Sequence, residues 1–294
     1  MNLNFSWVVA TLGNQSELSS IIKTAYSLSS EYSLNVDLIF ALPPDKYLKK
    51  KGIFSKEISN FNFRVINCPQ KNQVRQRNYG ISKTLYDLVV ISDDDIIITP
   101  EALISLIKIK VLKGSKCVVG PSLLPLDKNQ KIIYYPDILM LKLGIPVWLI
   151  KKFLNITKIG FGEATNLGIG CSFINISEDI FPVDWLPGAL TVHTKSNLGD
   201  KNLYPWKGKA YGEDYFHSII YRRNGINYFY VKEITYKCNL STLNSQSLLK
   251  RFNDFYLTFK RIYKIQFTLY KQYFNFKLFI YFIFIIIYKL TTRD

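Results

Sequence analysis

The sequence predicts an α/β fold with a mostly parallel central sheet flanked by helices. Two observations carry this. From Phe5 to Val119, short β-branched and apolar runs alternate with segments of helical spacing. One run, Leu88 to Ser92, is apolar almost throughout, as in a strand covered on both faces. It ends in three aspartates, Asp93-Asp94-Asp95, and Ile96-Ile97-Ile98 follows.

The elements follow in order. Phe5 to Ala10 reads as a first strand, broken by Gly13-Asn14. Ser16 to Ser30 carries Leu18, Ile21, Ile22, Ala25 and Leu28 at helical spacing, with Ser16 as N-cap. Val36 to Ala41 is a second strand, closed by Pro43-Pro44, and Phe63 to Ile66 a third. Gln73 to Leu85 is expected to be helical, and Asp87 to Ser92 is the strand feeding the aspartates. Pro100 suits the first turn of a helix running to Leu112. Cys117 to Val119 is a further strand. Later, Tyr215 to Arg223 reads as a helix ended by Gly225, with a strand from Tyr228 to Val231.

Three carboxylates crowded at a strand end repel one another and lose hydration. A hard divalent cation relieves this, because Mg²⁺ or Mn²⁺ accepts one or two carboxylates plus substrate phosphates. Open α/β sheets place ligands at the carboxyl ends of their strands. The plainer alternative is a solvated acidic turn before a helix.

The chain has 38 basic and 22 acidic residues, a formal charge of +16, which suits a polyanionic partner or simply reflects a Lys- and Asn-rich composition. Cys68, Cys117, Cys171 and Cys238 lie far apart, with no metal-ligand or redox spacing, so free thiols in a reducing compartment are expected. The start, Met1 to Ser6, lacks the basic residues of a cleavable signal, so the catalytic part is expected to stay in the cytoplasm.

Two domains are expected: 1–245, and a basic-aromatic tail, 246–294. In the tail Phe252, Tyr256, Phe259, Tyr263, Phe267, Tyr270 and Phe274 share one helical stripe, with Lys260, Arg261, Lys264 and Lys271 beside it. That is the pattern of an interfacial helix on an anionic membrane surface. Leu278 to Tyr288 is uncharged but shorter than the ~20 residues of a spanning helix. The alternative is a helix packed on the catalytic domain, or a homodimer contact. The apolar stretch Ile138 to Ile150 is read as a core helix pair or an acceptor-facing flap.

Two further clusters bear chemistry: Trp185-Leu186-Pro187-Gly188-Ala189, and Gly212-Glu213-Asp214 at a helix start. An acidic pair there complements the helix dipole, or aims a general base. With Thr11 to Asn14, Arg75-Gln76-Arg77-Asn78-Tyr79-Gly80, the triplet and Arg222-Arg223-Asn224-Gly225, these clusters stand in the order of a known family. The chain resembles a family-2 glycosyltransferase with the GT-A fold, of the bacterial surface-polysaccharide type, over residues 5 to about 235.

The resemblance implies a nucleotide-diphosphate-sugar donor, a Mg²⁺ or Mn²⁺ ion and a glycan or lipid-linked acceptor. Asp95 and Asp93 resemble the metal ligands of an Asp-x-Asp motif, with Asp93 and Asp94 near the ribose and donor sugar. Arg77 resembles the residue that steadies the nucleotide end and the triplet, and Thr11 lies where the base is held. Trp185 to Ala189 resembles the donor-sugar and acceptor loop, with Gly188 allowing close backbone approach. Asp214 is the candidate base; Glu213 shares that role or hydrogen-bonds the acceptor. Inversion at the sugar is implied, on the inner face of the membrane.

The chain departs from the family in two places. The second strand ends Phe40-Ala41-Leu42-Pro43-Pro44 with no acid to hold a base, and Tyr236-Lys237-Cys238 stands where some relatives carry a metal-binding histidine. Of the two histidines, His217 falls one helical turn after Asp214 and could tune it or touch the acceptor, while His193 is read as structural. Lys195, Lys201, Lys207 and Lys209 could grip a carrier phosphate or form a solvated loop. The competing classes are a catalytically inactive assembly partner, a nucleotidyltransferase and a nucleic-acid binder. Leu12-Gly13-Asn14 is too meagre a loop for the second. The aromatic stripe runs into an uncharged segment, so it favours lipid over nucleic acid.

Overall fold

The structure is a computed structural model and describes residues 3–46, 60–125, 178–198 and 213–238. All belong to one compact unit built from 1–127 and 178–239. The expectations for the tail, for 138–150, and for Gly212, Lys201, Lys207 and Lys209 lie outside the described residues.

Among the described residues nine strands form one mixed sheet. They are β1 (Phe5–Ala10), β2 (Val36–Leu42), β3 (Phe61–Asn67), β4 (Leu88–Ser92), β5 (Ile96–Ile97), β6 (Cys117–Pro125), β7 (Ile180–Val183), β8 (Leu190–Thr194) and β9 (Asn227–Cys238). The helices are α1 (Gln15–Ser30), α2 (Gln73–Ser82), α3 (Pro100–Lys113) and α4 (Glu213–Arg223). The spatial order is β3-β2-β1-β4-β8-β6-β9-β5, with β7 also on β9. The strands β1, β2, β3 and β4 run parallel. The chain leaves β1 toward β2 and β3, then returns to place β4 on the other side of β1. This switch point opens a crevice at the carboxyl ends of β1 and β4.

Side-chain alternation sorts the layers. On one face Val8, Ile39, Val89 and Ile91 pack with Ile81 of α2. On the other, Tyr26 of α1 meets Phe61 edge-on, and Phe63 meets Phe40. On that face too, Lys110 Nζ of α3 donates to Thr194 Oγ1 at 2.8 Å. The Trp7 indole crosses from β1 to Ser92 Oγ at 2.8 Å, both residues fully buried, and so pins the strand end that precedes the aspartates.

At the opposite, amino end of the sheet, Asp37 is fully buried. Its carboxylate accepts from Ser6 Oγ (2.8 Å), Asn62 Nδ2 (3.0 Å) and both arms of Arg64 (2.9 and 2.6 Å). Ser6 Oγ and Asp37 also take the amide of Leu85, which draws the chain out of the helix after Ser82 instead of the expected Leu85. The strands at 63–66, 117–119 and 228–231 extend at both or one end beyond the reading, and β5, β7 and β8 were not foreseen. Asn72 and Thr99 cap α2 and α3, accepting from Arg75 N and Ala102 N at 3.1 and 3.3 Å.

Gly80 is where α2 touches β1. A Cβ there would stand 2.4 Å from Val8 Cγ1. Gly80→Ala, a change that stabilises most helices by about 1 kcal/mol, is expected to destabilise this one by about 1–3 kcal/mol through overpacking. Denaturant melts of Gly80→Ala and Gly80→Ala/Val8→Ala check this, the second change restoring part of the loss.

Candidate active site

The carboxyl end of β4 brings the aspartates to the crevice, and an antiparallel neighbour delivers the rest. β8 pairs with β4 from Leu88–Thr194 to Ser92–Leu190, and Asp93 N donates to Ala189 O at 2.9 Å. Because β8 runs opposite to β4, the loop before it, Trp185 to Ala189, arrives at the acidic end. Arg222 near the end of α4 holds the start of this loop through Asp184 (2.6 Å). Gly225, with φ of +74°, closes the same helix.

Arg77 is the centre of the arrangement. It is buried, and its guanidinium bridges Asp93 Oδ1 and Glu213 Oε1, joining α2, the end of β4 and the start of α4. Burial works to lower the Arg77 pKa, but the charges of Glu213 and Asp93, the hydrogen bond to Asp93 and the charge of Asp214 together raise it. Gln73 Nε2 also donates to Asp93 Oδ1, at 3.0 Å. Asp214, next in the first turn of α4, accepts from Gly188 N at 3.3 Å.

Gly188 thus adjoins Arg77, Glu213 and Asp214, but an added Cβ would meet them at 3.4–3.6 Å, ordinary contact. Thr11 lies buried at the end of β1; its amide donates to Ala41 O (3.1 Å) and its Oγ1 accepts from Gly13 N (2.9 Å). Trp185 is in the loop beside β8; Asp94 and Asp95 are half-buried. Asp95 turns toward β9, where the Cys238 thiol donates to its Oδ2 at 3.4 Å. Burial, Asp95 and the rest of the triplet push that thiol up.

The sequence reading placed Gln76 in the Arg75 to Gly80 cluster but gave it no task; it is buried and donates to Thr11 O (2.9 Å) and Ala41 O (2.7 Å), tying α2 to the ends of β1 and β2. Lys195 donates to Thr84 O at 2.8 Å. Between α2 and α4 a cavity of about 60 Å³ is lined by Arg77, Asn78, His193, Asp214 and His217, among others. His217 stacks on Tyr221 at 6.1 Å. Among the described residues, His193 Nδ1 and Asn78 Nδ2 are buried without a hydrogen-bond partner, so the cavity suits a few waters.

The donors at the triplet fit a divalent cation in their chemistry: oxygens from Asp93, Asp94 and Asp95, and a sulfur beside Asp95. No group of three or more His, Cys, Asp or Glu side chains among the described residues forms a metal cage by itself. A cation here would take further ligands from a bound diphosphate.

The model of the family described as "Glycosyl transferase family 2" matches residues 49–175. The match takes in Arg77 and the aspartates and stops before Trp185 and Glu213. Over residues 49–175, less than half of the chain, the protein is similar to that family. No curated protein matches the sequence. Among solved structures, S. aureus TarS 1-349 is 13% identical with a TM-score of 0.52, over 89% of this chain and 65% of that one. Its complex with UDP-GlcNAc gives the same identity and score, over 89% and 66%. GalNAc-T7 with UDP, GalNAc and Mn²⁺ is 14% identical, TM-score 0.51, over 80% and 43%. The chain therefore spans less than two thirds of the length of these structures, and shares with them the GT-A fold expected from the sequence.

Two outcomes are expected. Arg77→Met strands the buried Glu213 carboxylate and lowers stability by about 3–5 kcal/mol in a denaturant melt. Arg77→Lys does not restore it, because a point charge cannot replace a fork on two carboxylates. Burial, with Lys110 and His217, lowers the His193 pKa to about 3 from its ordinary 6.5. Between those values the unfolded chain takes up a proton that the folded chain refuses, so stability falls as pH drops through that window. His193→Phe flattens the acid side of a melting-temperature–pH curve.

Proposed function

We propose that the chain is a family 2 glycosyltransferase that transfers a sugar, with inversion, from a nucleotide-diphosphate-sugar to a hydroxyl of a glycan or lipid-linked acceptor in cell-surface polysaccharide synthesis. The observation that carries this reading is the buried Arg77 fork, which holds the acidic triplet and the Glu213–Asp214 pair at one crevice. GalNAc-T7 was solved with UDP and Mn²⁺, and TarS with UDP-GlcNAc; both support a nucleotide-sugar donor, and the first a divalent ion.

Each residue then has a task. Thr11 and Arg77 line the nucleotide side of the crevice, with Asp93 and Asp94 toward the ribose and sugar. Asp95 leads in holding a Mg²⁺ or Mn²⁺ ion, which when bound offsets the negative charge growing on the departing diphosphate. Glu213 is committed to Arg77 and so sets the position of α4's first turn. Asp214, oriented by the Gly188 amide, receives the acceptor proton as the acceptor oxygen bonds to the anomeric carbon and the carbon–diphosphate bond breaks on the opposite face. Trp185 and Gly188 shape the pocket for the two sugars.

The reading extends to residues 246–294 as a membrane-associating tail on the inner face, from its aromatic stripe and basic flank. Among the described residues no helix is long and apolar enough to cross a membrane.

Turnover of a panel of nucleotide-sugars by the purified full chain tests the proposal. Asp214→Asn is expected to lower kcat about 10²–10⁴-fold with donor affinity retained, and Asp95→Ala to abolish the dependence of donor binding on metal. Turnover that survives both changes undiminished would rule out these roles. Co-sedimentation with anionic vesicles, lost on deleting 246–294, checks the tail.

A further inference from the structure

Cys238 is the last residue of β9 and is held from both edges. It pairs with Ile96 of β5 on one side and with Pro125 of β6 on the other. Ile96 directly follows Asp95, so the register that fixes Cys238 also fixes the backbone beside the aspartate. The thiol is buried, and its Sγ stands 3.4 Å from Asp95 Oδ2. Meanwhile Asp93 Oδ1 is taken by Arg77 and Gln73 on the far side of the triplet. The triplet is thus split: its first member faces a guanidinium and its last a sulfur.

That spacing has a meaning for coordination. A metal–sulfur bond of roughly 2.3 Å and a metal–oxygen bond of roughly 2.0–2.2 Å, meeting at about 90–110°, separate the two donors by roughly 3.1–3.6 Å. The observed 3.4 Å falls inside this range, with Cys238 on β9 and Asp95 in the turn directly before β5. A plain thiol–carboxylate hydrogen bond has the same length, so a sulfur–metal signature is the deciding measurement.

We propose that Cys238 Sγ and Asp95 form a mixed sulfur–oxygen seat for the donor's divalent cation, which favours thiophilic ions over Mg²⁺. This rests on the reading that a cation holds the diphosphate at the triplet. Mg²⁺ demands oxygen ligands, whereas a thiolate favours softer ions such as Co²⁺, Zn²⁺ or Cd²⁺. On binding, the sulfur–hydrogen bond gives way to a sulfur–metal bond and the thiol proton passes to solvent.

The test is a Co²⁺ titration of the reduced full chain, read by sulfur-to-cobalt charge-transfer absorption, with the melting temperature of the same samples reporting occupancy. The wild type is expected to show the band, and Cys68→Ser to keep it. Cys238→Ser loses the band and weakens Co²⁺ binding on the order of tenfold or more. Cys238→His restores binding through an imidazole nitrogen, without the sulfur band. Co²⁺ binding without the band, a band that survives Cys238→Ser, or no Co²⁺ binding would each overturn the seat. Metal-dependent sugar transfer in a protein without the band would leave the transferase reading standing and remove only this inference. A band that Cys238→Ser abolishes, in a protein that turns over no nucleotide-sugar, would do the reverse.

Discussion

A buried guanidinium is tolerated only where anions surround it, and in this molecule everything near the crevice follows from that demand. Arg77 comes from the inner face of α2, so α2 must lie flat on β1 and β2. Gly80 permits the contact and Gln76 fastens it. The two carboxylates that Arg77 requires come from the end of β4 and the first turn of α4, which fixes that helix start over the strand end. Glu213 is thereby held on the guanidinium, and Asp214 beside it, the candidate base of the sequence reading, is met by the Gly188 amide.

The second constraint is the direction of one strand. A parallel strand beside β4 would bring its following loop to the acidic end; β8, running the other way, brings its preceding loop, and with it Trp185 and Gly188. Beyond β8 the sheet resumes its original direction through β6 and β9. The far end of β9 therefore returns to the carboxyl edge and presents Cys238 to Asp95. Polar groups thus gather at both ends of an apolar sheet. At the amino end Asp37 is saturated by Ser6, Asn62 and Arg64, a closed network that serves stability. At the carboxyl end the aspartates are half-buried, with Asp93 held by Arg77 and Gln73 and Asp95 by Cys238.

Much of the framework was legible because burial writes a local period into a chain. Phe5–Ala10, Val36–Leu42 and Leu88–Ser92 were readable as strands within a residue or two, as were α1 and α3 as helices. Leu190–Thr194 was not. Its run, Leu-Thr-Val-His-Thr, alternates because one face meets α3 and the other the cavity with Thr191 and His193, and it is only five residues long. The end of α2 was misjudged because the group that stops it, Ser6, lies 79 residues away from Leu85.

What the sequence determined by itself was an alternating α/β chain and three carboxylates closing a buried strand, since apolar periodicity and the interruption of an apolar run are properties of adjacent residues. Only the tertiary structure decided that Arg77 joins Asp93 to a glutamate 136 positions on, and that Asp95 faces a cysteine 143 positions away. Those meetings depend on strand order, strand direction and register, which the packing of the whole sheet selects and no short stretch of residues encodes.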